Sequence, residues 1–320
     1  MKMKKILSVA AVLAIAASLG VSASAAEPAT PVNGEVTITK SYTVSGINAT
    51  KPNDTLEFEV KSSSFKNGSV TESSAPAVTI APVTVASAAT TADIVVGLPI
   101  YTKVGVYTYE IAENRGSVAG VDYRTDSFYL VVTVTNGTGD NFVTYANVYE
   151  NAEGTIKLDS IVNAYSAGVL TVTENTTGAL GDKEKDFEAT VTFDIPNETK
   201  PKDVIKVTNP DSTVEWSEDG KTATITVNNG DTVTFENVPK GTTYTVAQEK
   251  DEDYDEPVIT FGDNNRRIDG TETDTVTIEN KRDTNVETGI NLDNLPYALA
   301  LAGVAVAGGS IVIRRRRVND

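Results

Sequence analysis

The 320-residue chain has no cysteine and no histidine. The first absence removes disulfides, the common way to harden an exported domain, and any thiol nucleophile. The second removes a Ser-His-Asp triad, and the two together remove the usual zinc ligand sets. Positive charge is scarce: 27 Lys and Arg stand against 44 Asp and Glu, a net charge of −17. Such a surface repels nucleic acid and anionic lipid, so no nucleic-acid partner is expected. Long apolar runs are confined to the two ends, and long segments of helical period are missing between them.

The ends read as address labels. Lys2, Lys4 and Lys5 precede an apolar stretch from Ile6 to Leu19 and a small-residue site, Ala23-Ser24-Ala25. These are the parts of a secretory signal peptide spanning 1–26, so the mature chain begins near Glu27. At the other end, Asn285-Val286-Glu287-Thr288-Gly289 precedes an uncharged run over 295–313 and four arginines, Arg314 to Arg317. At helical rise that run spans roughly 30 Å, the thickness of a bilayer core, and the arginines hold its far end in the cytoplasm. A plain single-pass anchor fits the helix and leaves the pentapeptide unexplained. With it, the segment 284–320 resembles a Gram-positive cell-wall sorting signal. The resemblance implies that a sortase cuts between Thr288 and Gly289 and passes the threonine carbonyl to an amine. Asn-Val-Glu-Thr-Gly is similar to the Val-Pro-Thr-Gly signals of pilin sortases, with Glu287 in the proline's place. Without the three leader lysines, the four tail arginines and Asp293 and Asp320, the exported part carries about −22.

Between Glu35 and Arg282 the chain is rich in Val, Thr, Ile and Tyr in short alternating runs broken by Gly, Asn, Asp and Pro. This pattern predicts an all-β chain of two tandem sandwiches, over 34–166 and 167–283. The duplication is visible. Val36-Thr37-Ile38-Thr39-Lys40 recurs as Leu170-Thr171-Val172-Thr173-Glu174. The Tyr-rich segment ending in Glu113 recurs ending in Gln248, and Ser160-Ile161-Val162-Asn163 recurs as Thr277-Ile278-Glu279-Asn280. The order is kept, with one late loop shorter in the second copy.

Strand parity carries the next step, because residues two apart share a face. Val36 and Ile38 carry Lys40 inward, Tyr109 and Ile111 carry Glu113, and Ile161 carries Asn163. Three polar side chains thus point at one core from three strands, and isolated buried charges cost several kcal/mol. Two readings fit these residue types. One is a buried Lys-Glu salt bridge with Asn163 as a hydrogen-bonding neighbour. The other is a spontaneous isopeptide bond: neutral Lys40 attacks the Asn163 side-chain carbonyl, protonated Glu113 shuttles protons as the catalytic group, and ammonia leaves, with no cofactor.

Taken together, the opening Thr-Lys strand, Gly105-Val106-Tyr107-Thr108-Tyr109, Gly120-Val121-Asp122-Tyr123, Lys185-Asp186-Phe187, the closing Asn-Lys and the Thr-Gly tail resemble the two-domain major pilins of Gram-positive bacteria of the FctA type. The resemblance implies Ig-like (CnaB-like) sandwiches with an internal Lys40–Asn163 isopeptide bond, Glu113 being its proton shuttle. The second copy departs from it, with Glu174 at the lysine position and Gln248 at the acid position, though Asn280 remains. Glutamate is no amine nucleophile, so no bond is expected there, and the three residues are expected to form a buried hydrogen-bonded cluster with Glu174 protonated.

The resemblance also implies a shaft subunit of a covalent pilus, exported to the cell wall and surface, held transiently in the membrane by 295–313, and partnered by a sortase, further copies of itself and ancillary pilins. Lys157, six residues before Asn163, is the candidate polymerisation lysine. The alternative is a minor pilin or wall-anchored adhesin facing a host surface or matrix, linked once through Thr288. No metal site is expected: Asp251, Glu252, Asp253, Asp255 and Glu256 lack the spacing and glycine turn of calcium loops and read as a solvated acidic loop. No paired carboxylates stand out for hydrolysis, so the protein is not expected to be an enzyme.

Overall fold

The computed structural model describes residues 31–87, 89–208 and 213–283. The leader, the Thr288-Gly289 motif, the apolar run 295–313 and the arginine tail lie outside the described residues. Among the described residues, no helix is long and apolar enough to cross a membrane.

In the first half the chain runs β1 (Glu35–Ser45), β2 (Asp54–Leu56), β3 (Phe58–Asn67), β4 (Val70–Glu72), β5 (Thr79–Ile80), β6 (Val83–Val85), β7 (Thr91–Gly97), β8 (Gly105–Glu113), β9 (Val121–Asp122), β10 (Phe128–Asn136) and β11 (Phe142–Tyr149). A long β12 (Ser160–Thr177) follows, then β13 (Phe187–Asp194), β14 (Lys206–Thr208), β15 (Thr213–Trp216), β16 (Thr222–Val227), β17 (Thr232–Pro239), β18 (Thr243–Gln248), β19 (Val258–Phe261) and β20 (Thr273–Lys281). Among the described residues, helix is limited to one four-residue turn, α1 (Pro201–Val204), and a short 3₁₀ turn before it. The described part of the chain is nearly all β, as its alternation predicts.

Two sandwiches result. In the first, the sheet β11-β10-β8-β3-β4 faces β12-β1-β7-β5. Alternate residues Tyr107, Tyr109 and Ile111 of β8 and Phe128, Leu130 and Val132 of β10 meet Ile38, Ile94 and Ile161 in a buried core. In the second, β15-β16-β13-β18 faces β14, β17, the far half of β12, β20 and β19. Its core gathers Leu170, Val172, Val191, Phe193, Ile225, Phe235 and Ile278.

The two copies share an unusual pairing. In the first, the opening strand lies parallel to the closing one, with Lys40 opposite Ile161 and Tyr42 opposite Asn163. In the second, β12 lies parallel to β20, with Glu174 opposite Ile278 and Thr176 opposite Asn280. Lys40 and Glu174 therefore hold the same register, each diagonal to its asparagine. The shorter late loop has a concrete cause: the β10–β11 hairpin has no counterpart in the second copy.

The boundary expected between 166 and 167 falls within a single strand. β12 passes from one sandwich into the other without a turn. Its inward residues are odd-numbered at Ile161, Asn163 and Tyr165 and even-numbered at Leu170, Val172 and Glu174. A register shift between Gly168 and Leu170 against β17 absorbs the change of face. Gly168 is a point of close approach. A Cβ there would lie 2.7 Å from Ile268 Cγ2 and 2.8 Å from the Glu272 carbonyl oxygen.

Beside this strand the two sandwiches are pinned by Asn237, 2% exposed at φ 57°. Its Oδ1 accepts from the Thr50 N–H at 2.9 Å and the Tyr165 hydroxyl at 3.1 Å. Its Nδ2 donates to the carbonyls of Thr50 and Val204 at 3.0 and 2.9 Å. Lys240 to Asp122 at 2.9 Å adds an exposed ion pair of little energetic weight.

Candidate functional site

Three strands bring Lys40, Glu113 and Asn163 to one point at the first core. Their exposures are 0, 8 and 2%, and the parity of each strand requires it, since apolar residues two positions away anchor the same face. Lys40 Nζ donates to Glu113 Oε2 at 2.7 Å, and Asn163 Nδ2 donates to Glu113 Oε1 at 2.5 Å. One carboxyl group therefore spans the amine and the amide. Burial pushes the Lys40 pKa down, against the opposing pull of Glu113. Burial thus favours the neutral Lys40 amine over the ammonium.

The surroundings contain groups that sequence reading did not identify. Tyr42 Oη accepts from Asn163 Nδ2 at 3.3 Å and donates to Asp54 Oδ2 at 2.5 Å. Asp54, 3% exposed, also accepts from the Tyr123 hydroxyl at 2.9 Å. Burial, with Asp54 as acceptor, keeps the Tyr42 phenol firmly protonated. The Arg124 backbone N–H donates to Asn163 Oδ1 at 3.0 Å. Lys51, 1% exposed, gives its Nζ to the carbonyls of Pro52, Val85 and Ala86 and sits 4.9 Å from the centre of the Tyr42 ring. Three acceptors and an aromatic face satisfy a buried ammonium. Parity could have marked Tyr42, two residues beyond Lys40. Asp54, Lys51 and Arg124 lie in short or irregular segments with no periodic signal.

In the second core, Glu174 and Asn280 are fully buried. Asn280 Nδ2 donates to Glu174 Oε1 at 2.8 Å, and Gln248 Nε2 donates to Asn280 Oδ1 at 2.9 Å. Burial pushes the Glu174 carboxyl up to about 7. Three buried oxygens nearby in the fold have no partner among the described residues: Glu174 Oε2, Thr176 Oγ1 and Gln248 Oε1. A carboxyl proton supplies a donor to this acceptor-rich group, and an ionised Glu174 does not. Lys185 turns away to Asp251 at 2.9 Å, so it brings no amine to the cluster.

Lys157 is exposed and lies apart from both cores. It forms an isolated bridge with Tyr149 at the edge of the first sandwich. The loop before it is closed by Asn151, whose Oδ1 accepts the N–H groups of Thr155 and Ile156 at 3.0 and 3.1 Å. Thr288 and Gly289 fall outside the described residues.

Comparison with known proteins places these sites in context. Residues 36–166 match a family model, FctA, described as a Spy0128-like isopeptide containing domain. Residues 168–282 match one described as a domain of unknown function (DUF7601). A curated relative, "Pilin" of Streptococcus pyogenes serotype M1, is 25% identical over 322 residues, covering 90% of this chain and 92% of that one. The crystal structure of the major pilin from Streptococcus pyogenes aligns with a TM-score of 0.54 at 22% identity, over 79% of this chain and 100% of that one. The major pilin T3.2 from the same species aligns with a TM-score of 0.50 at 16% identity, over 78% and 100% of the respective chains. These structural likenesses bear on the fold.

Proposed function

We propose, from the premise that this chain is a FctA-type pilin, that it is the repeating shaft subunit of a covalently polymerised surface pilus. Its first domain is cross-linked internally between Lys40 and Asn163, with loss of ammonia and with Glu113 as proton shuttle. The observation that carries this reading is the single Glu113 carboxyl spanning the Lys40 amine and the Asn163 amide inside a buried core. Lys40 Nζ attacks Asn163 Cγ, the proton it sheds passes to Glu113, and Glu113 protonates the departing nitrogen. The folded core supplies the proximity. A cross-link between positions 40 and 163 closes a 123-residue loop, which stabilises the domain by about 5 kcal/mol in the loop-entropy model.

The second domain forms no such bond. It holds Glu174, Gln248 and Asn280 as a hydrogen-bonded cluster in which Glu174 carries its proton below neutral pH. A sortase joins Thr288 of one subunit to Lys157 of the next. The exposure of Lys157 on a closed loop supports this joint, as does the unbroken run of β12 from the first domain into the second. Ancillary pilins complete the fibre, and residues 295–313 hold the subunit in the membrane until transfer.

Denaturing gels of cell-wall extracts from the producing bacterium test the shaft role. A ladder of high-mass bands that collapses when Lys157 is replaced by Ala is the expected result. A single wall-linked band unaffected by Lys157→Ala would mark a minor pilin or adhesin instead.

A further inference from the structure

The Asn163 side chain is gripped on sides that Lys40 and Glu113 do not touch. A backbone N–H can only donate, so the Arg124 N–H fixes how the amide is turned, with Oδ1 toward Arg124 and Nδ2 toward Glu113 and Tyr42. Tyr42 spends its own proton on Asp54, which leaves its oxygen free to hold Nδ2. The same Asp54 oxygen takes the Tyr123 proton, and Tyr123 Oη in turn accepts from the Val118 N–H at 3.0 Å. Tyr123 directly precedes Arg124. One buried carboxylate thus ties down both the residue at the amide nitrogen and the segment that faces the amide oxygen.

That segment is held against β12 by its own pairing, Val121 opposite Tyr165 and Asp122 opposite Ala164, one residue past Asn163. Gly120, at φ +80°, lets it approach: a Cβ there would lie 2.8 Å from the Ser166 carbonyl oxygen. The charged groups acting in this cluster are Lys51, fixed on three carbonyls, Lys40 with Glu113, and Arg124, whose charge bears on Lys40; both lysines stand within 5.5 Å of the Tyr42 ring centre.

We propose that Asp54 is a positioning residue for Lys40–Asn163 bond formation. It acts through Tyr42 on the leaving nitrogen and through Tyr123 on an oxyanion donor, the Arg124 N–H. This rests on the isopeptide reading given above. As the Nζ–Cγ bond forms, negative charge grows on Oδ1, where the Arg124 N–H already points. The Cγ–Nδ2 bond then breaks, and the proton shed by Lys40 travels through Glu113 to the departing nitrogen, which leaves as ammonia. A donor preset where charge develops lowers the barrier without reorganising at the moment of reaction. Asp54 touches none of the reacting atoms, and its effect is geometric.

The test follows the full-length chain as it emerges from cell-free translation, quenched at intervals and read by intact mass for the loss of about 17 Da. Tyr42→Phe and Tyr123→Phe, which keep the ring and remove one hydroxyl, should each slow that loss at least about tenfold, and Asp54→Ala at least as much. Asp54→Asn keeps an oxygen able to accept both phenolic protons and should stay within about threefold of the unchanged chain. Near-UV circular dichroism of the purified variants reports whether the tyrosine-rich first core has formed. Unchanged rates in all three disruptive variants would overturn the proposal. So would Asp54→Asn as slow as Asp54→Ala, the signature of a carboxylate that serves only to balance Lys51. If the unchanged chain itself never loses the mass, the isopeptide reading fails and the positioning role falls with it.

Discussion

Replacing Glu174 by glutamine isolates the energetic consequence of the altered second core. In the folded chain burial raises the Glu174 carboxyl from 4.5 to about 7. A group whose folded pKa is raised contributes stability that is fully present below its unfolded pKa and lost as pH rises through its folded pKa. The window is therefore about pH 4.5 to 7, and the full loss is about 3 kcal/mol, of which roughly 2.4 falls between pH 5 and 7.5. Glu174→Gln keeps an acceptor for Asn280 and offers an amide N–H to the unpartnered oxygens, and it cannot ionise. The readout is built into the chain. Trp216 is its only tryptophan and packs in the second core, 6.1 Å from Phe193 and 6.4 Å from Phe235 between ring centres. Thermal unfolding followed by tryptophan fluorescence therefore reports the second domain. Between pH 5 and 7.5 the unchanged chain should lose about 10 °C more in Tm than Glu174→Gln does. Comparing the two chains cancels the background from the many surface carboxylates and from buried Asp274. Parallel losses in both chains would refute the claim that Glu174 is forced to keep its proton.

Asn237→Ala removes four hydrogen bonds at the joint and puts alanine at φ 57°, so amide exchange over residues 46–51 should rise at least about tenfold; exchange unchanged from the parent would deny the joint its pin. Pulled between Lys157 and Thr288 in a single-molecule instrument, the unbonded second domain should release the 106-residue span from Glu174 to Asn280, on the order of 350 Å, while the cross-linked first domain stays short. A fibre in which neither domain lengthens would contradict this. Replacing Lys51 by Met should destabilise the first domain by about 2 kcal/mol in chemical denaturation of the Lys40→Ala background, because the carbonyls of Pro52, Val85 and Ala86 lose their donor and Asp54 its nearby cation; an unchanged midpoint would show that these contacts carry no stability.

How much of this was legible beforehand follows from period and distance. The two-residue alternation of Val36-Thr37-Ile38-Thr39-Lys40 and its repeat fixes which side chains face inward, so Lys40, Glu113, Asn163 and their second-copy equivalents could be placed in the cores from sequence. Parity within a strand says nothing about how strands join. The continuity of β12 was hidden because the inward parity changes along it, a change that the absent side chain of Gly168 and a register shift allow. The support around Asn163 was hidden for another reason. Asp54 reaches Tyr123 across 69 positions and Arg124 reaches Asn163 across 39, both from irregular stretches. Such contacts are set by the way two sheets stack, and no local pattern records them. The acid cluster at Asp251 to Glu256 was readable as surface, and Asp251 and Asp253 pair there with Lys185 and Arg282.

The most direct test of the account is the intact mass of a recombinant fragment from Glu27 to Thr288. One isopeptide bond releases one ammonia, about 17 Da. The account predicts a single loss, abolished by Lys40→Ala and by Glu113→Ala and untouched by Glu174→Gln. Two losses would mean that the second core finds another nucleophile, and no loss would reduce Lys40, Glu113 and Asn163 to a buried ion pair with an amide neighbour.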